Sequence, residues 1–193
     1  MNTELAEALK RDRLAAYARL RGGFPIPLAG AAYWLGLGIL GFFASSVKNW
    51  SLLAFIATGM IFPLALMFAA IFKNGFMKDK AVANTVLPPA FIAMLLFWPM
   101  AIAAFWDYPD LVPLILAIGL SMHWPVIGWS YGRPGIYTAH AVVRAIAVFF
   151  IWLYLPESRL TLLPFAVSAI YLLTVLVIAV DSGAVKRRLA GAA

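Results

Sequence analysis

The chain lacks cysteine and is poor in charge of either sign. With no cysteine among its 193 residues, disulfides, thiolate metal sites, iron–sulfur clusters and cysteine nucleophiles are excluded. Charged residues make up 12% of the sequence and hydrophobic residues 64%. A soluble globular domain is about 25% charged and about 45–50% apolar, so this composition indicates an integral membrane protein.

The sequence also lacks the motifs of common catalytic sites. It contains no HExxH pair, no glycine-rich phosphate loop and no Ser-His-Asp pattern. Its two histidines are too few for a usual catalytic zinc site, which takes three protein ligands. We therefore expect no metal and no cofactor, and enzymatic activity is less favoured than binding, transport or a structural role.

Long apolar runs dominate the rest of the chain. Six of them reach the length of about 20 residues that a transmembrane helix needs. Short links make successive spans antiparallel neighbours, so the sequence predicts an all-α, six-helix transmembrane bundle. In the first run, the spacing of Ala32 and Gly36 favours close helix contact. The runs are approximately Phe24–Val47, Ser51–Phe72, Val82–Phe105, Leu111–Trp129, Ile136–Leu155 and Thr161–Val180.

The basic residues indicate the orientation. With six spans both termini share one side, and that side carries twelve basic residues against two, Lys48 and Arg159, on the other. By the positive-inside rule both termini are predicted to be cytoplasmic. The net charge of +7 is thus accounted for without nucleic acid, which we do not expect as a partner. The twelve are Lys10, Arg11, Arg13, Arg19, Arg21, Lys73, Lys78, Lys80, Arg133, Lys186, Arg187 and Arg188.

Three segments follow from this pattern. Residues 1–22 are predicted to form an amphipathic helix at the cytoplasmic surface, with its basic residues toward anionic lipid headgroups. A docking site for another protein is the alternative use of such a helix. Residues 23–181 form the transmembrane domain, and residues 182–193 form a short basic tail in the cytoplasm.

Arg144 is the one charged residue in the central part of a predicted span. A charge at that depth costs at least a few kcal/mol, so its side chain should face the protein interior. His140 and Tyr137 share its helix face. Counted from the cytoplasmic end, His140 lies roughly 6 Å and Arg144 roughly 12 Å deep, and His123 of the preceding span roughly 9 Å. A polar layer is therefore predicted in the cytoplasmic half of the bundle.

Three interpretations of Arg144 remain open at the level of sequence. The side chain can extend along its helix toward cytoplasmic water. It can bind an anion together with His140 and His123, since a guanidinium offers a planar donor fork for oxyanions. It can also stack on an aromatic ring in a cation–π contact.

Three prolines lie inside predicted spans, and each predicts a kink. Pro63, Pro99 and Pro125 have no N–H, so each frees the carbonyl four residues earlier. At Pro125 the freed carbonyl belongs to Ser121, close to His123, which makes Ser121 a further candidate for the polar layer.

Several short motifs resemble those of a family of small bacterial polytopic membrane proteins with no assigned activity. The resemblance covers most of the spans. It implies a bacterial inner-membrane location and adds His123 and Tyr131 to the candidate site. The motifs are Ile61-Phe62-Pro63-Leu64, His123 with Trp129 and Tyr131, and Leu163-Pro164-Phe165 with Ile170-Tyr171-Leu172.

The leading hypothesis is binding or transport of a small anionic solute or a lipid headgroup through the His/Arg layer. The alternative is a non-catalytic structural or assembly factor that acts through its N-terminal helix, and an intramembrane enzyme is the third reading. Homo-oligomers are compatible with each. The candidate ligand-binding residues are Arg144, His140, His123, Tyr137, Tyr131 and Ser121.

Overall fold

The computed structural model describes residues 3–191, and within that range all regular structure is helical. The first two and last two residues, at the ends of the predicted N-terminal helix and tail, lie outside the described residues. Short 3-10 turns and loops join the helices. The helices are α1 (Thr3–Arg19), α2 (Pro25–Gly41), α3 (Val47–Thr58), α4 (Ile61–Ile71), α5 (Leu87–Leu95), α6 (Trp98–Asp107), α7 (Val112–Gly119), α8 (Trp124–Ser130), α9 (Pro134–Tyr154) and α10 (Leu162–Ala190).

Five helical segments are long and apolar enough to cross a membrane. They are Arg21–Gly41, Val82–Asp107, Pro109–Ser130, Pro134–Tyr154 and Leu162–Ala190. The pair α3 and α4 meets the same criterion as one span bent by 47°. The predicted all-helical membrane fold is thus confirmed, with five candidate spans and a sixth if the bent pair counts as one.

The positions of the first and last spans bear on whether α3 and α4 together cross the membrane as one span. The turn that opens the first span packs on the end of the last one, because a Cβ on Gly22 would lie 2.3 Å from Ile178. Arg19 and Lys186 also line the same cleft. The first span therefore begins at the end of the bundle where the last one finishes. This arrangement favours an even number of crossings, in which α3 with α4 is the second of six spans.

Each of the three prolines that predict a kink lies just after a break in the helix. Pro63 follows the break at Gly59 and Met60, and Pro99 follows the break between α5 and α6. Pro125 follows the break between α7 and α8. Since proline removes an N–H and its ring clashes with the preceding turn, these breaks are where the sequence predicts them.

Small residues bring α2 against α10. A Cβ on Gly30 would lie 2.7 Å from the ring of Tyr171, and one on Gly41 would lie 2.0 Å from the carbonyl oxygen of Leu160. Ser168 donates a 2.9 Å hydrogen bond across this contact to the carbonyl of Ala31. The face of α2 that packs closely on α10 is therefore not the face of Gly36 that the sequence predicted. A Cβ on Gly36 would meet no neighbouring atom of residues 3–191 within 4 Å.

Three ion pairs each join two residues from the same end of the bundle. At the basic end, named for its twelve basic residues, Arg19 pairs with Asp79 and Arg133 pairs with Asp181. At the opposite end Arg159 lies 3.9 Å from Asp110. α1 lies at the basic end with its second half buried, and α10 continues as helix through the predicted tail to Ala190.

Candidate functional site

Arg144 lies on the inner face of α9 and is fully buried, with 0% of its surface exposed. Its Nη1 donates a 2.6 Å hydrogen bond to the hydroxyl of Tyr171. Its Cζ lies 5.0 Å from the centroid of the Tyr171 ring and 5.3 Å from that of Trp34. Of the three interpretations, the structure shows the aromatic contact. Nε and Nη2 have no hydrogen-bonding partner in the described part of the chain.

His140 is held by α10. Its Nδ1 lies 2.8 Å from Oγ1 of Thr174, and that hydroxyl also lies 2.8 Å from the carbonyl oxygen of Ile170. The Thr174 hydroxyl therefore links the ring to the backbone of α10, whichever ring nitrogen carries the imidazole proton. Nε2 is buried and has no hydrogen-bonding partner among residues 3–191.

Trp124 contacts candidate ligand-binding residues of both the fourth and the fifth span. Its ring centroid lies 5.2 Å from that of His123 and 4.9 Å from that of His140, and it stacks on Tyr137 at 5.8 Å. Sequence reasoning missed Trp124, as well as Trp34 and the contact of Tyr171 with Arg144. The available signal was position, because Trp34 and Trp124 lie inside spans, away from the interfaces where tryptophan is enriched.

The two tyrosines of the candidate site lie toward the basic end. Tyr137 donates a 2.6 Å hydrogen bond to the carbonyl of Gly22 and so fastens the turn before α2. Tyr131, just beyond the fourth span, packs on Tyr17 of α1 at 5.8 Å. Burial raises the pKa of both Tyr131 and Tyr17 above the ordinary value. Both hydroxyls thus stay protonated at neutral pH and can donate, but they do not serve as bases.

A cavity of about 670 Å³ lies next to this cluster. Of the six predicted site residues, His123 and Tyr131 line it. Ser121 faces its own helix and donates to the carbonyl of Ile118. Trp34, Trp124 and Tyr171 form one wall of the cavity, and Arg144 contacts the first and third of these rings. The guanidinium therefore lies behind an aromatic wall.

The loop between α4 and α5 closes the cavity at the basic end. Phe76 and Met77 line the cavity, and Asp79 anchors the loop with a side chain that is only 3% exposed. Its carboxylate accepts from Arg19, from the backbone N–H of Ala81 and from the side chain of Asn84. The loop is thus a fixed cap.

The helix breaks mark the inner limit of the cavity. Gly59, Trp98 and Leu120, each at or beside a break, line it. Phe62 of α4 and Leu95 of α5 also line the cavity and are exposed. The cavity therefore lies in the half of the bundle near the basic end and reaches the exposed surface of α4 and α5.

Histidine and carboxylate side chains do not gather into a metal site in residues 3–191, where no three of them lie close enough to share an ion. Comparison with curated proteins and with solved structures finds no match. The sequence model of one family, described as a family of unknown function (DUF7010), matches residues 9–181. This range covers most of α1, every helix from α2 to α9 and residues 162–181 of α10, so the chain belongs to DUF7010, a family of unknown function.

Proposed function

We propose that this multi-pass membrane protein binds an amphipathic molecule dissolved in the bilayer. The apolar part of the ligand occupies the cavity, and an anionic headgroup lies at the basic end. The cavity carries the proposal, because a volume of about 670 Å³ falls within the range of about 300–1,000 Å³ that is typical of ligand sites.

The lining of the cavity favours an apolar body. Aromatic and aliphatic side chains make up most of it, including Trp98, Phe91 and Met94. Because the hydrocarbon of the bilayer is as apolar as these walls, burial alone favours no ligand over lipid. Selectivity must come from shape and from the few polar residues, and His123 is one that faces the cavity.

The charge at the cap favours an anionic headgroup. Lys73, Lys78 and Lys80 are exposed on the loop that closes the cavity. The carboxylate within this loop, Asp79, is already occupied by Arg19. A headgroup at the basic end of the cavity therefore meets a surplus of positive charge. This charge attracts anionic lipids by about 1 kcal/mol for each basic residue near the surface.

In this proposal Arg144 affects the ligand indirectly, by holding aromatic rings that line the cavity. Its hydrogen bond to Tyr171 and its contact with Trp34 hold two rings that line the cavity. Direct contact of Arg144 with an anion stays a prediction, and it requires one of these rings to move. The unpartnered Nε and Nη2 support that version of the hypothesis.

A matched pair of methionine substitutions tests the cavity. Met94 lines it, whereas Met100 on α6 is 55% exposed toward lipid. Met94→Trp should narrow the cavity and lower the amount of a co-purifying lipid or small molecule in the native mass spectrum. Met100→Trp adds the same side chain outside and should leave the spectrum unchanged. Retention of the same molecule by both variants, with both folded, would refute the proposal and favour the structural or assembly role.

A further inference from the structure

A second cleft of about 570 Å³ lies at the basic end, between the turn after α1 and the last turns of α10. Arg19 and Arg21 line one side, and Lys186 lines the other. Ser182 and Gly183 also line it on the α10 side. We call this space the basic cleft.

The basic cleft has an excess of positive charge. Arg21 and Lys186 form no ion pair with any residue from 3 to 191, and Arg19 has one carboxylate partner, Asp79. Arg187 adds a further cation, because its Nη1 lies 3.9 Å from where a Cβ on Gly183 would be. The nearby carboxylate of Asp181 is paired with Arg133 at 2.7 Å. The basic cleft therefore carries a surplus of positive charge that attracts anions.

The turn that carries Arg21 and directly follows Arg19 is fixed in place. Arg21 and Gly22 both adopt left-handed backbone conformations, with φ of 49° and 63°. Gly22 must be glycine, because a Cβ would lie 2.3 Å from Ile178, and its carbonyl accepts from Tyr137. Left-handed backbone is costly for arginine, so the packing of α9 and α10 holds the turn. The cations of the basic cleft are thus positioned before any ligand arrives.

The depth of the basic cleft favours a headgroup. α10 has 29 residues, and at about 1.5 Å for each residue the first 20 already cross a hydrocarbon core of about 30 Å. Ser182, Gly183 and Lys186 come after that point and lie at headgroup level. Gly183 leaves the helix surface open to a bulky oxyanion, since a Cβ there would have space around it.

We propose that the basic cleft binds the phosphate group of an anionic molecule, with a phospholipid headgroup as the source that its depth favours. Arginine and lysine together suit phosphate, because the guanidinium supplies a planar fork and the ammonium a compact charge. This site is separate from the apolar cavity, and the proposal does not depend on what fills that cavity.

Gly183→Leu tests this assignment without removing a charge. Leucine is a better helix former than glycine, so α10 should remain intact while the side chain fills the basic cleft. The full-length protein is exchanged into an equal mixture of phosphatidylglycerol and phosphatidylcholine, and retained lipids are counted by native mass spectrometry. Wild type should enrich phosphatidylglycerol by about five-fold for each basic side chain that reaches the headgroup. Gly183→Leu should lower that enrichment, and Gly36→Leu, on an open face of α2, should not.

A second arm identifies the source of the phosphate. Pyrophosphate is titrated calorimetrically into the protein in phosphatidylcholine nanodiscs. Binding that Gly183→Leu abolishes, without a change in lipid enrichment, would keep the phosphate site and assign it to a soluble ligand. Lys186→Gln should weaken whichever probe binds, whereas Lys10→Gln on the exposed part of α1 should not. If neither probe distinguishes Gly183→Leu from Gly36→Leu, the proposal is wrong. If Met94→Trp and Met100→Trp retain the same molecule while Gly183→Leu still lowers binding of a probe, only the proposal for the apolar cavity is refuted.

Discussion

Nη1 of Arg144 donates a 2.6 Å hydrogen bond to the hydroxyl of Tyr171, and this bond joins α9 to α10 in the interior of the bundle. Trp34 of α2 lies under the same guanidinium at 5.3 Å, so one side chain contacts two further helices. Desolvated cation–π contacts contribute about 2 kcal/mol or more. Against this stands the cost of a buried charge whose Nε and Nη2 are unpartnered within residues 3–191.

The first prediction is that losing the hydroxyl of Tyr171 harms stability more than losing the charge of Arg144. Tyr171→Phe leaves the buried guanidinium without its one hydrogen bond and should lower the free energy of unfolding by about 1–3 kcal/mol. Arg144→Met removes the charge at similar volume, and such replacements are often neutral or stabilising by about 1–4 kcal/mol.

A double-mutant cycle separates these effects. Arg144→Met with Tyr171→Phe should unfold at nearly the same temperature as Arg144→Met alone, because the phenylalanine no longer exposes a charge to an apolar site. Unfolding would be followed in one detergent by tryptophan fluorescence. Additive losses in the double variant would contradict this account of the pair.

The second prediction compares two glycines of α2. Gly30→Ala places a methyl group 2.7 Å from the Tyr171 ring, which must move and strain its bond to Arg144. Overpacking of this kind costs about 1–3 kcal/mol. Gly36→Ala meets open space and should be neutral or should stabilise α2 by up to about 1 kcal/mol. Equal melting temperatures for the two variants would mean that α2 and α10 are not packed as described.

The sequence was sufficient to predict the spans and the inward direction of Arg144. Span length and the cost of a charge in hydrocarbon depend on local sequence, and so does the helix spacing that puts His140 and Tyr137 on the face of Arg144. The breaks before the prolines follow from the missing N–H in the same way.

The cavity and its aromatic wall could not be predicted, because they depend on which spans become neighbours. Trp34 and Tyr171 come from the first and last spans and meet at Arg144 only after folding. Tryptophan near the end of a span can lie at the membrane interface or in the buried core, and the sequence alone does not distinguish these two places. Trp50 lies just before the second predicted span, where tryptophan is enriched at the membrane interface, but it is 0% exposed and donates to the carbonyl of Leu37 at 3.0 Å.

The third prediction concerns α1, which has an exposed first half and a buried second half. Removal of residues 1–11 should leave the bundle folded with little change in its unfolding temperature. Removal of residues 1–21 also deletes Tyr17 and Leu20, both buried, and the Arg19 partner of Asp79. Burial of one such side chain contributes about 1.5–3 kcal/mol, so this longer truncation should be destabilised by at least about 2 kcal/mol.

The hypothesis of an assembly factor is therefore tested with the shorter truncation, which should leave the bundle folded. If a partner protein is lost on removal of residues 1–11 while the unfolding temperature is kept, α1 is a docking helix. If the shorter truncation unfolds as easily as the longer one, the first half of α1 contributes to the fold, contrary to its observed exposure.

The last prediction is the orientation, for which the absence of cysteine provides a clean background. Lys78 lies at the basic end and Tyr108, which is 69% exposed, lies at the opposite end. Because basic loops remain on the cytoplasmic side, a membrane-impermeant thiol reagent added to intact cells should label Tyr108→Cys and not Lys78→Cys. Inverted membrane vesicles should reverse the result. Lys10→Cys should follow Lys78→Cys, since six crossings put α1 and the α4–α5 loop on one side. If Lys10→Cys instead labels with Tyr108→Cys, α3 and α4 do not cross the membrane, and the count of six spans fails.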